Sequence, residues 1–210
     1  MKITWYGHSC FAVEHAGYTV LLDPYYPDKV PGLCLPTLSA QKVMCSHQHA
    51  DHGAAEIIKI LPGPENPFTI RTVEVFHDHH SGEHRGANIV HILEADGIRV
   101  AHLGDLGHLL TPEQAQELQW LDAVMIPVGG HYTIDAAEAK QVVNAIHPRV
   151  VIPMHYRHGK YGFTELNTVE TFTSLFPARC VRRLPGRELE ITPEMPSETE
   201  GVICVFDGAF

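Results

Sequence analysis

The chain has 210 residues and a mass of 23.3 kDa, and 44% of its residues are hydrophobic against 19% charged. This composition predicts one globular domain over residues 1–210 and excludes disordered and collagen-like proteins. The net charge of −10 disfavours long nucleic acids and anionic membranes as partners.

The first third of the chain alternates short apolar segments with turn residues, a pattern typical of antiparallel strands. We predict strands over residues 3–6, 10–14 and 18–22, a proline-rich loop over 23–39, a buried strand over 41–45 and a helix over 54–61. The helix is expected to end at Pro62-Gly63-Pro64, which prevents its continuation.

The remaining two thirds begin with strands and continue with strands and helices in alternation. We predict one or two strands within 68–77, a polar loop over 78–86, a hairpin of 88–94 with 98–103, a helix starting at Thr111, a strand over 122–128, a helix from Asp135 to about 146, a strand over 149–154, a helix over 165–176 and strands over 188–191 and 202–206. This order predicts an α/β fold of stacked sheets with helices packed outside. The chain lacks a long apolar run and the pattern of a signal peptide, so we expect a cytoplasmic protein.

Histidine is the most unusual feature of the composition, with 16 copies against 15 lysines and arginines together. These residues occur from His8 to His158 and are therefore no terminal tag. Because histidine is the commonest metal ligand, the excess indicates metal chemistry. The five cysteines contain no CxxC pair, which predicts reduced core residues and no thiolate metal site.

The strongest motif is His47-Gln48-His49-Ala50-Asp51-His52, which follows a predicted buried strand. Residues two apart in an extended loop point the same way, so His47 and His49 are expected to converge on one ion while Asp51 and His52 face a second. The alternative is a solvated loop that is histidine-rich by chance. Four ligand types at this spacing favour a two-metal site.

Two neighbouring ions need further ligands, including a carboxylate that bridges both charges. Three further candidate ligands lie at the ends of predicted strands: His77, Asp105 and His155. Asp105 is the carboxylate among them. Gly104 directly precedes Asp105 and permits a sharp turn of the backbone there. We therefore expect these three side chains to converge at one edge of a sheet.

The order HxHxDH, strand-end His, Gly-Asp, strand-end His resembles the metallo-β-lactamase superfamily. This resemblance implies an αβ/βα four-layer sandwich. Further segments are similar to the small metal-dependent hydrolase branch that includes ascorbate-6-phosphate lactonase-like proteins. These segments are Trp5-Tyr6-Gly7-His8-Ser9-Cys10-Phe11, Leu22-Asp23-Pro24, His102-Leu103-Gly104-Asp105, Ile126-Pro127-Val128-Gly129-Gly130 and Ile152-Pro153-Met154-His155-Tyr156.

The resemblance implies seven ligand residues, which together hold two ions. It assigns His47, His49 and His77 to the first ion, Asp51, His52 and His155 to the second, and Asp105 to both. Three loop histidines, His79, His80 and His84, are alternatives to His77. We prefer His77 because a strand end is more rigid than the following loop.

Several other polar residues have two open interpretations. Asp23 either fixes the tautomer of a ligand histidine, the role that the family favours, or forms an Asx turn before Pro24. His8 either contacts the metal site or substrate, or lies in a surface loop. His131 is a candidate for contacting the substrate or its leaving group. Five histidines are expected to be packed in the protein or exposed to solvent: His15, His91, His102, His147 and His158. The role of His108 stays open. Helix capping accounts for Asp135.

These observations predict a hydrolase in which a hydroxide bound by two divalent ions attacks a small molecule. The substrate class stays open among lactone, ester, thioester, amide and phosphodiester. Zinc is the preferred metal, with manganese and iron as alternatives. Catalytic roles are expected for Asp51, Asp105 and His131.

Rival functions are a superfamily phosphodiesterase or nuclease, a di-iron oxidoreductase and a non-catalytic metal-binding protein. The chain has no GxSxG or Walker A motif, which excludes the corresponding serine hydrolases and P-loop enzymes. The loops expected to form the mouth of the site and to select the substrate are residues 24–39, 78–86, 131–133 and 157–161. Within them Arg157 and Lys160 suit an anionic group, whereas Tyr25, Tyr26 and residues 33–35 suit an apolar one. The sequence indicates no oligomeric state.

Overall fold

Two β-sheets form the framework of the computed structural model, which describes residues 1–194 and 201–208. In chain order the strands are β1 (Lys2–Trp5), β2 (Phe11–His15), β3 (Tyr18–Leu22), β4 (Ser39–Ala40), β5 (Lys42–Met44), β6 (Lys59–Ile60), β7 (Thr69–Phe76), β8 (Ala87–Ala95), β9 (Ile98–His102), β10 (Ala123–Pro127), β11 (Val150–Met154), β12 (Val181–Leu184), β13 (Glu188–Glu190) and β14 (Val202–Phe206). The helices are α1 (Pro112–Glu117), α2 (Ala136–Ile146) and α3 (Val169–Thr173), and 3-10 turns occupy Ala55–Ile57 and Ala178–Cys180.

The first sheet has the strand order β13-β1-β2-β3-β5, and the second has the order β12-β14-β11-β10-β9-β8-β7. β1, β2 and β3 pair antiparallel, as predicted, and β5 joins β3 in parallel. In the second sheet β7, β8 and β9 pair antiparallel, while β9, β10, β11, β14 and β12 run parallel. The predicted hairpin around Asp96 is therefore present as β8 and β9.

The first sheet is buried on both faces because alternate side chains enter two different clusters. One face, with Trp5, Phe11 and Val13, joins the main core together with residues of the second sheet and the helices. The opposite face, with Ala12 and Leu21, packs against a smaller cluster from the following loop. That cluster includes Tyr25, Val30, Leu33, Ala40 and Ile58.

The helix predicted over residues 54–61 is wrong. The chain forms one 3-10 turn at Ala55–Ile57 and then β6, which pairs with β4. Lys59 N–H donates to Leu38 C=O, and Leu61 N–H donates to Ala40 C=O. Because these tertiary partners take the backbone donors, an i to i−4 ladder cannot form there.

Three other boundaries differ from expectation. The last helix, predicted over 165–176, is limited to α3 because Asn167 N–H donates to Gly129 C=O before the helix begins. β12 was not predicted and forms the end of the second sheet. β5 is half-buried where a buried strand was expected, because it lies at an edge of the first sheet.

Strand direction brings several loop starts to one edge of the structure. β7 and β9 both run antiparallel to β8, so they point the same way, and β10 and β11 follow that direction. The residues that follow these strands therefore meet at the carboxyl edge of the second sheet. The longest helix, α2, has 11 residues, and no helix within the described ranges suits a membrane span.

Candidate metal centre

The carboxylate of Asp105 lies at the centre of a buried histidine cluster. Its Oδ2 is 3.2 Å from Nε2 of both His77 and His155 and 3.3 Å from Nε2 of His52. Two donor atoms that each lie about 2 Å from one tetrahedral zinc ion are separated by about 3.3 Å. The spacing of these side chains therefore fits ligands that share cations.

The structure brings all seven predicted ligands together in overlapping groups. Donor atoms lie within 4.8 Å of one another in three sets: His47, His49 and His77; His47, His52 and Asp105; and His8, Asp51, His52 and His155. The division resembles the predicted division between two ions. The second set joins the other two, since it shares His47 with one and His52 with the other.

The chemistry of the cluster fits metal ions because its inner donor atoms lack protein partners. Within the described residues, His47 Nε2 and Asp105 Oδ1 are buried without a hydrogen bond. Buried polar atoms are normally paired, so two such atoms without a hydrogen bond in one cluster fit a site that binds a metal ion. Imidazole and carboxylate donors without thiolates suit zinc, and also manganese or iron.

Asp23, at the end of β3, orients His52. One carboxylate oxygen accepts the Ser46 backbone N–H at 2.6 Å, and the other accepts Ser46 Oγ–H at 2.6 Å and His52 Nδ1–H at 2.8 Å. This hydrogen bond places the proton of His52 on Nδ1 and leaves Nε2 free to face Asp105. Burial opposes ionisation of Asp23, but His102 and His52 lower its pKa to about 2. The carboxylate thus serves the histidine and not an Asx turn.

Asn88 and Gly104 fix the turn that presents Asp105. Asn88 Oδ1 accepts the Asp105 backbone N–H at 2.9 Å, and its Nδ2 donates to the Leu103 carbonyl at 2.9 Å. Gly104 has φ +54°, and a Cβ there would lie 2.4 Å from Asn88 Oδ1. Burial opposes ionisation of Asp105, yet His155 and His52 hold its pKa well below the usual range.

His8 lies inside the centre, so the surface-loop interpretation is wrong. Its Nε2 is 3.3 Å from Asp51 Oδ2, and its ring centroid is 4.1 Å from that of His155. Burial, with His155 next, lowers the pKa of His8 to about 4. His8 is therefore neutral near pH 7 and can donate one N–H to the ionised Asp51.

The loop histidines occupy a different place from the cluster. His77 joins His47 and His49, whereas His79, His80, His84 and His131 line an adjoining cavity. The assigned roles of the seven ligands and of His131 remain predictions. The remaining histidines mostly pack or pair elsewhere: His15 with Asp96, His102 with the Ser9 carbonyl, and His147 with Trp120. His91 is buried, and His108 Nε2 accepts the Phe76 backbone N–H.

A cavity of about 300 Å³ opens over the centre and is lined by His49, Asp51, His77, Asp105 and His155, with Arg85, Tyr132 and Phe163 on its walls. Arg85 and Tyr132 lie in two of the loops expected to select the substrate, 78–86 and 131–133, although neither was singled out, and Phe163 lies outside those loops. Arg157 was expected at the mouth of the site, but it lines a separate cavity together with Arg183. Tyr25 is buried in the smaller hydrophobic cluster beside the first sheet. Lys160 stacks on Tyr161, and neither lines this cavity.

Comparison with known proteins identifies the family. The profile described as the beta-lactamase superfamily domain matches residues 2–155. A protein of Thermotoga maritima proposed to be a Zn-dependent hydrolase of the metallo-β-lactamase superfamily has a crystal structure that matches with a TM-score of 0.76 at 38% identity. The match covers 98% of this chain and 99% of that one. The chain belongs to the metallo-β-lactamase superfamily.

Relatives within the superfamily agree on its general chemistry. A UPF0173 metal-dependent hydrolase of Thermoplasma acidophilum is 28% identical over 188 residues, which cover 74% of this chain and 83% of the relative. Igni18, a metallo hydrolase of Ignicoccus hospitalis, matches with a TM-score of 0.58 at 24% identity over 80% of this chain and 85% of that one, and shows the fold alone. The predicted α/β sandwich is confirmed as a metallo-β-lactamase fold, and the protein is a metal-dependent hydrolase of this superfamily.

Proposed function

We propose that this superfamily member hydrolyses a small molecule with a dinuclear metal centre. The observation that carries the proposal is the position of Asp105, whose Oδ2 lies within 3.3 Å of histidines delivered by three separate loops. A single carboxylate between two groups of histidines is the arrangement expected for a bridging ligand. His47, His49 and His77 would hold one ion, and Asp51, His52 and His155 would hold the other.

Two divalent cations, preferably zinc, supply hydroxide near neutral pH and polarise the electrophile when they are bound. The protein residues position the reactants around this chemistry. His8 donates Nε2–H to Asp51 and keeps that carboxylate turned into the centre. Tyr132 and Phe163, whose rings meet edge to face at 5.7 Å, form an apolar wall on one side of the cavity above the centre.

The cavity size limits the substrate to a small molecule. About 300 Å³ above the centre admits a lactone, an ester, a thioester, an amide or a small phosphodiester. His131 lies in the adjoining cavity, from which its ring N–H can reach a leaving group that extends that way. No side-chain nucleophile is required by this reaction.

Metal content and hydrolysis test the proposal together. We expect elemental analysis of the metal-supplemented protein to give two equivalents per chain, and we expect turnover on at least one ester, lactone, thioester or phosphodiester of a broad panel. Chelation should abolish turnover, and re-addition of zinc or manganese should restore it. One equivalent after supplementation would contradict the dinuclear centre.

Asp105→Ala is the decisive variant, because it removes the bridging anion and leaves two cations repelling one another. We expect loss of turnover and of at least one bound ion. Asp96→Ala is the matched control, since Asp96 also accepts from a histidine, His15, but lies at the surface. Normal turnover and two bound ions in Asp105→Ala would overturn the proposal. Reductant-dependent oxygen consumption by the intact protein would instead favour an oxidoreductase.

A further inference from the structure

A second cavity adjoins the one above the metal centre. It has a volume of about 640 Å³ and shares two wall residues, Arg85 and Tyr132, with the smaller cavity. The loop histidines His80 and His84 and the exposed His131 line it from the sides. A molecule whose reacting bond lies at the centre can therefore extend past Arg85 into the second cavity.

The acidic residues of this second cavity already have partners. Asp78 accepts backbone N–H groups from four residues of its own loop, at 2.7–3.1 Å. Asp135 accepts two backbone N–H groups at the start of α2, and Glu138 accepts the Asp135 backbone N–H while facing His79. Their carboxylate oxygens are thus engaged in hydrogen bonds within the protein.

Arg85 differs because no carboxylate of the described residues forms an ion pair with it. Its guanidinium lies 5.3 Å from the centroid of the Tyr132 ring. Tyr132 in turn packs edge to face against Phe163 and against His131, at 5.7 and 4.5 Å. The ring therefore supports a half-buried cation at the boundary of the two cavities, and its planar N–H fork has no ion-pair partner among the described residues.

We propose that Arg85 binds an anionic group, a carboxylate or a phosphate, at the end of the substrate distal to the bond that is hydrolysed. A guanidinium fork matches both oxyanions in a bidentate manner. His80, His84 and His131 offer further N–H donors around the same space. Tyr132 is a positioning residue that holds Arg85. This inference rests on the proposed hydrolase function and adds a substrate class to it.

A matched series of aryl esters tests the inference: one neutral, one with a terminal carboxylate and one with a terminal phosphate. For the wild type we expect kcat/KM to favour at least one anionic ester by about tenfold or more. Arg85→Met should reduce that ratio to near one, and Arg85→Lys should give an intermediate ratio because the charge remains without the fork. Tyr132→Phe should keep the ratio and Tyr132→Ala should lower it.

Arg71→Met is the control for loss of one arginine, because Arg71 is exposed on β7 and paired with Glu94 at 2.9 Å. It should keep the wild-type ratio. Metal content and far-UV circular dichroism verify that each variant is folded. A wild-type ratio near one, or an unchanged ratio in both Arg85 variants, would overturn the inference while leaving the hydrolase proposal intact.

If none of the esters is hydrolysed, the proposed function fails on this series, and binding still tests Arg85. Calorimetric titration of the metal-loaded protein with inorganic phosphate and with succinate should show binding of at least one anion. Arg85→Met should weaken that binding by about tenfold or more, and Arg71→Met should not. Equal affinity in the wild type and Arg85→Met, or no binding of either anion, would refute the anion site. The anion that binds more tightly identifies the terminal group of the substrate as a phosphate or a carboxylate.

Discussion

A single buried carboxylate, Asp23, connects the first sheet to the centre. It is fully buried, receives three hydrogen bonds from Ser46 and His52, and has no contact with solvent. Removing one partner of a buried hydrogen bond leaves the other without compensation. The orientation of the His52 ring therefore depends on Asp23. Asp23 contacts Nδ1 of that ring and cannot itself reach an ion bound to Nε2.

Asp23→Ala should weaken metal binding about 10- to 100-fold, because His52 loses the acceptor that fixes its tautomer. Competition with a chromophoric chelator measures the change. Asp96→Ala removes the acceptor of His15, a pair with the same 2.8 Å distance at the surface, and should leave affinity unchanged. Equal metal affinity in the wild type and Asp23→Ala would show that Asp23 does not position the ligand.

The convergence of the seven candidate ligands was predictable, because four of them belong to one short motif and the other three, His77, Asp105 and His155, follow strands. The same reasoning left the role of His8 open, because only the packing of the two sheets brings its neighbours to it. The His155 backbone N–H donates to the His8 carbonyl at 3.3 Å, across 147 positions of sequence. The loops that hold Arg85 and Tyr132 were predicted at the mouth of the site, but the two residues were not singled out, because a lone arginine or tyrosine in a polar loop is ordinary.

The loop of residues 78–86 is organised by its own first residue. Asp78 accepts the backbone N–H groups of His80, Gly82, His84 and Arg85, and it is nearly inaccessible to solvent. Charge-assisted hydrogen bonds of this kind are about twice as strong as neutral ones. The conformation that presents Arg85 therefore depends on one carboxylate.

Asp78→Ala should destabilise the protein by about 2 kcal/mol and accelerate amide exchange in the loop, since four donors lose their acceptor. Urea denaturation and hydrogen exchange measure the two effects. Thr111→Ala provides the control: it removes the cap of α1, which accepts the Gln114 N–H at 3.2 Å, and should cost about 1 kcal/mol without affecting loop exchange. Unaltered exchange in Asp78→Ala would contradict the assigned role of the carboxylate.

Elements with strong periodicity or capping signals were predicted well, and short elements were not. The N-cap of α2 is the predicted Asp135, whose side chain forms a capping box with Glu138. The segment 54–61 has helical composition, but the backbone of β6 pairs with β4 and its donors are used by distant residues. Local propensity fails there because tertiary hydrogen bonds compete with the helix.

At the scale of the molecule, the candidate centre depends on both sheets. Asp23 and the His47–His52 segment follow strands of the first sheet, whereas His77, Asp105 and His155 follow strands of the second. The order of strands along the chain indicated layered sheets, but the edge at which they meet follows only from strand direction. Because candidate ligands come from both sheets at this edge, a bound ion would cross-link the two layers.

Removing metal should therefore lower the stability of the whole protein. Ions that bind only the folded chain add about 4 kcal/mol at a free concentration 1,000 times the dissociation constant, which corresponds to about 10 °C in Tm for a chain of this size. The buried atoms of His47, His52 and Asp105 that have no hydrogen bond contribute to this affinity, since an ion would give them a partner. Differential scanning calorimetry with zinc and with a chelator measures the difference.

Asp105→Ala should show a smaller difference than the wild type, because it holds fewer ions, whereas Asp96→Ala should match the wild type. Identical midpoints for metal-loaded and chelated wild-type protein would show that the two sheets are held together without the ions.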